Sequence, residues 1–122
     1  MKQIKKHYKD GLKFDSRLEL FFYNLLKKEN IEFQFQVAYE LFPSFKYDGK
    51  AIRPMTLTVD FDLTECGKNI IVDTKGFQRN DNILKWKIFR YTMAFEWNNQ
   101  PKLFFPKNQN ECLKVVEIIK TL

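Results

Sequence analysis

The chain has 122 residues, 21 basic against 15 acidic, and a net charge of +6. Apolar residues make up 44%, and 13 residues are Phe, which suits one folded domain and excludes a disordered tail. One histidine (His7) and two cysteines (Cys66 and Cys112) without CxxC spacing exclude a zinc cluster, an HNH-type nuclease centre and a Ser-His-Asp hydrolase.

No apolar run is long enough to span a membrane. The N-terminal lysines are followed by no apolar stretch, so no signal peptide is expected. Two cysteines suit a reducing cytosol. The four glycines form no P-loop or dinucleotide pattern. A basic balance on a small folded domain favours a polyanionic partner, most often nucleic acid.

Residues 1–13 read as a basic arm, either solvated or contacting phosphate, with Lys5, Lys6, Lys9 and Lys13 as contacts. A helix is expected from Asp15 or Ser16, because Leu18, Phe21, Phe22, Leu25 and Leu26 recur at helical spacing. Lys27, Lys28 and Asn30 close it. Residues 33–41 alternate as a half-buried strand, with Phe33, Phe35, Val37, Tyr39 and Leu41 on one face. Asp48-Gly49 predicts a tight turn within residues 44–53, in a small hairpin or a loop. Strands follow at 56–64 and 69–75, joined by Glu65–Lys68. A second helix is expected over 82–97, capped by Asn80 or Asp81. A short strand follows at 102–105, and a third helix at 109–120. The expected architecture is an α/β sandwich: an antiparallel meander, then a helical crossover that allows the last strand to lie parallel to a neighbour.

The acidic residues explain themselves poorly as structure alone. The four-residue turn pairs Thr64 with Asn69, which sets Asp62 opposite Ile71 and Asp60 opposite Asp73. Opposed carboxylates repel unless something lies between them, and a divalent cation is the simplest candidate. Asp62 competes with Asp60, but its partner Ile71 is apolar, so Asp60 is favoured. Lys75 projects beside Asp73 on the same side. Glu19 lies on or beside the buried face of the first helix, and Ser16-x-x-Glu19 also reads as a capping box. The chemistry that suits this set is Mg²⁺-dependent phosphodiester cleavage. Asp60 and Asp73 would ligate the ion with the Thr74 carbonyl. Lys75 would orient water or neutralise charge. Glu19 would bind a second ion or metal-bound water.

These residues resemble the PD-(D/E)XK nuclease superfamily, over roughly residues 12–106. The local text looks like that of small phage-encoded endonucleases and Holliday junction resolvases: Phe14-Asp15-Ser16-Arg17-Leu18-Glu19, Asp60-Phe61 and Val72-Asp73-Thr74-Lys75-Gly76. Val59 stands where the name-giving Pro would be. The resemblance implies a restriction-endonuclease-like core, αβββαβ with a mixed sheet flanked by helices, plus a C-terminal helix. It implies Glu19, Asp60, Asp73 and Lys75 as catalytic residues, Mg²⁺ as cofactor with Mn²⁺ as substitute, DNA as partner and a homodimer in the cytoplasm of a bacterial or phage-infected cell. The aromatics Phe95, Trp97, Phe104 and Phe105 either fill the core or partly build the dimer interface. Arg17, Gln78, Lys85, Lys87 and Arg90 join the arm as expected DNA contacts. The leading reading is a structure-selective endonuclease acting on branched DNA. A restriction-like, repair or end-processing nuclease is the alternative, and a non-catalytic nucleic-acid-binding module is the third.

Overall fold

The computed structural model describes residues 2–5, 11–75 and 80–122. Its elements run β1 (Lys2–Lys5), α1 (Arg17–Lys28), β2 (Gln34–Phe42), β3 (Phe45–Tyr47), β4 (Lys50–Ile52), β5 (Met55–Asp62), β6 (Ile70–Val72), α2 (Asn80–Phe95), β7 (Lys102–Phe104) and α3 (Gln109–Lys120). Among the described residues one sheet has five strands in the order β1-β2-β5-β6-β7, and β3 and β4 pair separately. Strands β2, β5 and β6 form the antiparallel meander, and β7 lies parallel to β6 after the α2 crossover. The chain is an α/β protein with a mixed sheet. Among the described residues no helix is long and apolar enough to cross a membrane.

Helix α1 starts where the Ser16 hydroxyl accepts the Glu19 N–H at 3.1 Å. It ends at Lys28 with Glu29 as its C-cap, and Asn30 just beyond has a φ of 55°, a left-handed conformation that Asn tolerates. Lys120 on α3 reaches Glu29 at 3.3 Å, tying the two helix ends together. Helix α3 is capped by Asn108, which accepts the Glu111 N–H at 2.9 Å. Lys68 donates to the Ile119 and Leu122 carbonyls at its other end, where a cation suits the helix dipole.

Each face of the sheet has its own core. Phe22 and Leu26 of α1 and Cys112, Val115, Val116 and Ile119 of α3 pack on Phe61, Leu63, Ile70 and Val72. Trp86, Phe89 and Met93 of α2 pack on Val37, Tyr39, Leu41, Leu57, Val59 and Ile71. Burial pushes the Cys112 thiol up to about 11, so it packs as a neutral side chain.

Three expectations are corrected. Part of the basic arm is ordered sheet: Lys2–Lys5 pairs with Val37–Glu40 as an edge strand. The expected single apolar face of residues 33–41 is divided: Phe33 and Phe35 pack in one core, Val37, Tyr39 and Leu41 in the other. Val59 is separated from Phe61 and Leu63 in the same way. The change falls at Gln36, which has a φ of 53°, and at Asp60 beside it, so strict two-residue alternation fails there. Helix α2 begins at Asn80, so Asn80 and Asp81 fall within its first turn rather than capping a helix that starts at 82. Of the four aromatics, Phe104 and Phe105 pack on the core clusters, while Phe95 and Trp97 are exposed.

Phe61 is fully buried and meets the rings of Phe22, Phe33 and Phe35. Phe61→Ala is expected to lower stability by about 3–5 kcal/mol, read as a lower urea midpoint at unchanged slope.

Candidate active site

Register brings the acids together. Phe61 pairs with Val72 and Asp62 with Ile71, so the ladder continues to Asp60 and Asp73. The Asp73 carboxylate accepts the Asp60 N–H at 3.2 Å and the Lys75 N–H at 2.9 Å. Asp60 accepts the Thr74 N–H at 2.9 Å and the Thr74 hydroxyl at 2.8 Å. Strand β6 ends at Val72, but the Asp73 N–H still bonds the Phe104 carbonyl at 3.0 Å, which holds the turn against β7.

Asp60 and Asp62 have separate tasks. The Asp62 carboxylate, fully buried, accepts from the Tyr39 hydroxyl and from the Thr64 N–H at 2.9 Å. It anchors the end of β5. Asp60 instead lines a cavity of about 320 Å³ together with Asp73, Lys75, Lys85 and Trp86.

Glu19 is 0% exposed and stands behind the cavity wall. Its Oε1 accepts from Gln36 Nε2 at 3.0 Å, and its Oε2, which has no hydrogen-bond partner, lies 3.6 Å from Lys75 Nζ. Lys75 also pairs with Asp15 at the head of α1. Half of the capping box forms: Ser16 receives the Glu19 N–H, while the Glu19 carboxylate turns to Gln36 and Lys75. The structure thus makes Glu19 a holder of Lys75 rather than a side chain lining the cavity. Thr74 likewise acts through Asp60, with its N–H and hydroxyl.

Electrostatics follow from this crowding. Burial, then the charges of Asp73 and Glu19, push the Asp60 carboxyl up to about 7, against the hydrogen bonds from Thr74. Burial also raises Glu19, against the bond from Gln36 and the charge of Lys75. Burial pulls Lys75 down, but its bond to Asp15 and the charges of Asp60, Glu19 and Asp15 outweigh that and leave it raised. Lys75 is therefore a cation at neutral pH.

Among the described residues no group of three or more His, Cys, Asp or Glu side chains is arranged to hold a metal ion. The Asp60–Asp73 pair still fits a hard divalent cation. Mg²⁺ needs only one or two carboxylates, with water completing its shell, and a carboxyl raised by a neighbouring carboxylate regains its charge when a cation comes between them.

The other predicted residues divide. Lys85 lines the cavity. Arg90 lines a different cavity, against Pro101 and Leu103. Lys13, Arg17 and Lys87 are exposed but do not line the acidic cavity. Lys5 lies on β1, at the far edge of β2 from β5. Lys6, Lys9, Gly76 and Gln78 lie outside the described residues. Two residues had no assigned role: Asp15, whose signal was its place in Phe14-Asp15-Ser16, and Gln36, a polar residue in the middle of an apolar strand.

A family model described as "Protein of unknown function (DUF1064)" matches residues 2–109. The chain belongs to the DUF1064 family. No curated protein and no solved structure matches it. The matched span of this DUF1064 member includes Glu19, Asp60, Asp73 and Lys75, together with every strand of the sheet.

A carboxyl raised on folding favours the folded state in its neutral form. That contribution is whole below the ordinary value of 3.8 and is lost as pH rises through about 7. Asp60→Asn removes the loss. Without divalent cation it is expected to raise the thermal midpoint at pH 8 by roughly 3–6 °C, with the gap narrowing toward pH 4. Paired thermal melts across that range check it.

Proposed function

We propose that this protein is a metal-dependent DNA endonuclease of the PD-(D/E)XK type, using Mg²⁺ or Mn²⁺ and acting on branched DNA as a homodimer. The observation that carries the reading is the pairing of Asp60 with Asp73 at a cavity that also receives the Lys75 cation. The element order α1-β2-β5-β6-α2-β7, with β7 parallel to β6, supports a restriction-endonuclease-like core.

The reaction adds water across a phosphodiester P–O bond. Asp60 and Asp73 would hold the ion, and Thr74 fixes the Asp60 carboxylate by two donors. When bound, Mg²⁺ supplies positive charge at the phosphate oxygens and acidity to water. Lys75, kept protonated by Asp15 and Glu19, serves as a fixed positive charge for a phosphate oxygen or for the attacking water. It is not a base in this state. Lys85, which also lines the cavity, offers a second cation to the DNA backbone. Two strands related by two-fold symmetry call for two such sites, which is the reason for a homodimer.

A cleavage assay with Mg²⁺ on four-way junction, fork and duplex DNA tests the reading. Cleavage is expected with Mg²⁺ and none in EDTA. Asp73→Asn and Lys75→Ala are each expected to reduce the rate at least about 100-fold, as removal of one group that stabilises developing charge does, while DNA binding persists. Wild-type rates in Asp73→Asn, or cleavage surviving in EDTA, overturn it.

A further inference from the structure

We propose that the β3–β4 hairpin is a stacking platform for unpaired bases, placed at the end of the groove that leaves the acidic cavity. The proposal rests on the nuclease reading and narrows its substrate to DNA with single-stranded nucleotides beside the cut.

The hairpin is small and well defined. Asp48 and Gly49 have φ values of 50° and 76°, the two positive values of a type I′ turn, which sets the pairing of Tyr47 with Lys50 and Phe45 with Ile52. Paired residues share a face, so one face presents Phe45, Ile52, Tyr47 and Lys50 in two rows. All six strand residues are exposed, and Tyr47 at the tip is 72% exposed. The Phe45 ring meets Phe42 of β2 at 5.9 Å between centroids, so the base of the hairpin is held and the exposed Tyr47 end is what calls for a partner.

Charge decides which partner. Among the described residues Lys46, Lys50 and Arg53 make no ion pair, and the only acid of residues 45–53 is Asp48 in the turn. Aromatic rings among unneutralised cations are how proteins hold single strands: bases stack on the rings while phosphates meet the cations. A second copy of this chain, also with an excess of cations, is a poorer match.

Placement links the face to the site. On β5 the partners of β6 are Phe61 and Asp62, at the strand's C-terminal end, so among the described residues the first half of β5 runs past the end of β6. The cavity follows that stretch, lined by Thr58 and Thr56 as well as Asp60. Five residues of β5 from Asp60 to Met55 span about 17 Å. A single strand lying in the groove, with its phosphate at Asp60, would reach the hairpin within a few nucleotides.

The test compares binding of an oligothymidylate and a blunt duplex of the same length by fluorescence anisotropy, in EDTA so that nothing is cut. Tyr47→Ala is expected to lower the ratio of single-strand to duplex affinity about 5- to 100-fold, the loss of one stacked base. Tyr47→Trp is expected to restore it. Lys50→Ala is expected to reduce the salt slope of single-strand binding by about one unit. An unchanged ratio in Tyr47→Ala overturns the proposal, as does sedimentation showing that Tyr47→Ala turns a dimer into a monomer. The two readings fail separately. A Tyr47-dependent ratio without Mg²⁺-dependent cleavage removes the nuclease. Mg²⁺-dependent cleavage with an unchanged ratio removes the platform.

Discussion

Two carboxylates share one small space where β5 meets the end of β6, and most of the local structure serves to keep them there. Left to themselves Asp60 and Asp73 would separate. The chain opposes this with hydrogen bonds: Asp73 accepts the Asp60 N–H, and Asp60 accepts the Thr74 N–H and hydroxyl. Donors of this kind hold oxygens in place without cancelling their charge. The cost appears as the raised Asp60 carboxyl.

Lys75 is kept to one side. Lys75 is drawn toward Asp15 and Glu19, and so toward helix α1. Glu19 is oriented in turn by Gln36, whose Nε2 also donates to the Lys13 carbonyl at 3.1 Å. A chain of contacts therefore runs from the segment before α1, through β2, to the lysine beside the acids. Each member is needed for a geometric reason. Without Gln36, Glu19 would be a buried charge with one fewer donor; without Glu19, Lys75 would be free to close directly onto Asp60. The positive φ of Gln36 belongs to this arrangement, because it marks the point where the strand passes from one core to the other.

What could be read in the sequence follows from how local each cause is. The opposition of Asp60 and Asp73 was legible because a short turn transmits its register without ambiguity. Helices α1 and α3 were legible from their apolar stripes and from Ser16 and Asn30 at the ends of α1. The change of core at Gln36 and Asp60 was not, because a two-residue period has no term for a non-glycine residue at positive φ. Strand β1 was hidden by lysines, which edge strands accept and which read equally as a solvated arm. The pull of Glu19 and Asp15 on Lys75 crosses sixty positions of sequence, and no spacing rule reaches that far.

The net charge takes on a different meaning from this arrangement. The excess of lysine and arginine is not spread evenly around the acids. Lys75 is held by carboxylates, and Lys85 stands on the cavity wall, while Lys46, Lys50 and Arg53 stand apart on the hairpin. A polyanion approaching from solvent would meet the hairpin cations unscreened, within about one Debye length of the first hairpin residues, and would meet the acids only after entering the groove. The basic surface and the acidic pair are thus opposite in sign but successive in space. A phosphate backbone is attracted by the first and would still be repelled by the second unless a cation neutralised it. On the proposed reading, that sequence of fields would make backbone binding independent of the metal and any chemistry at Asp60 dependent on it.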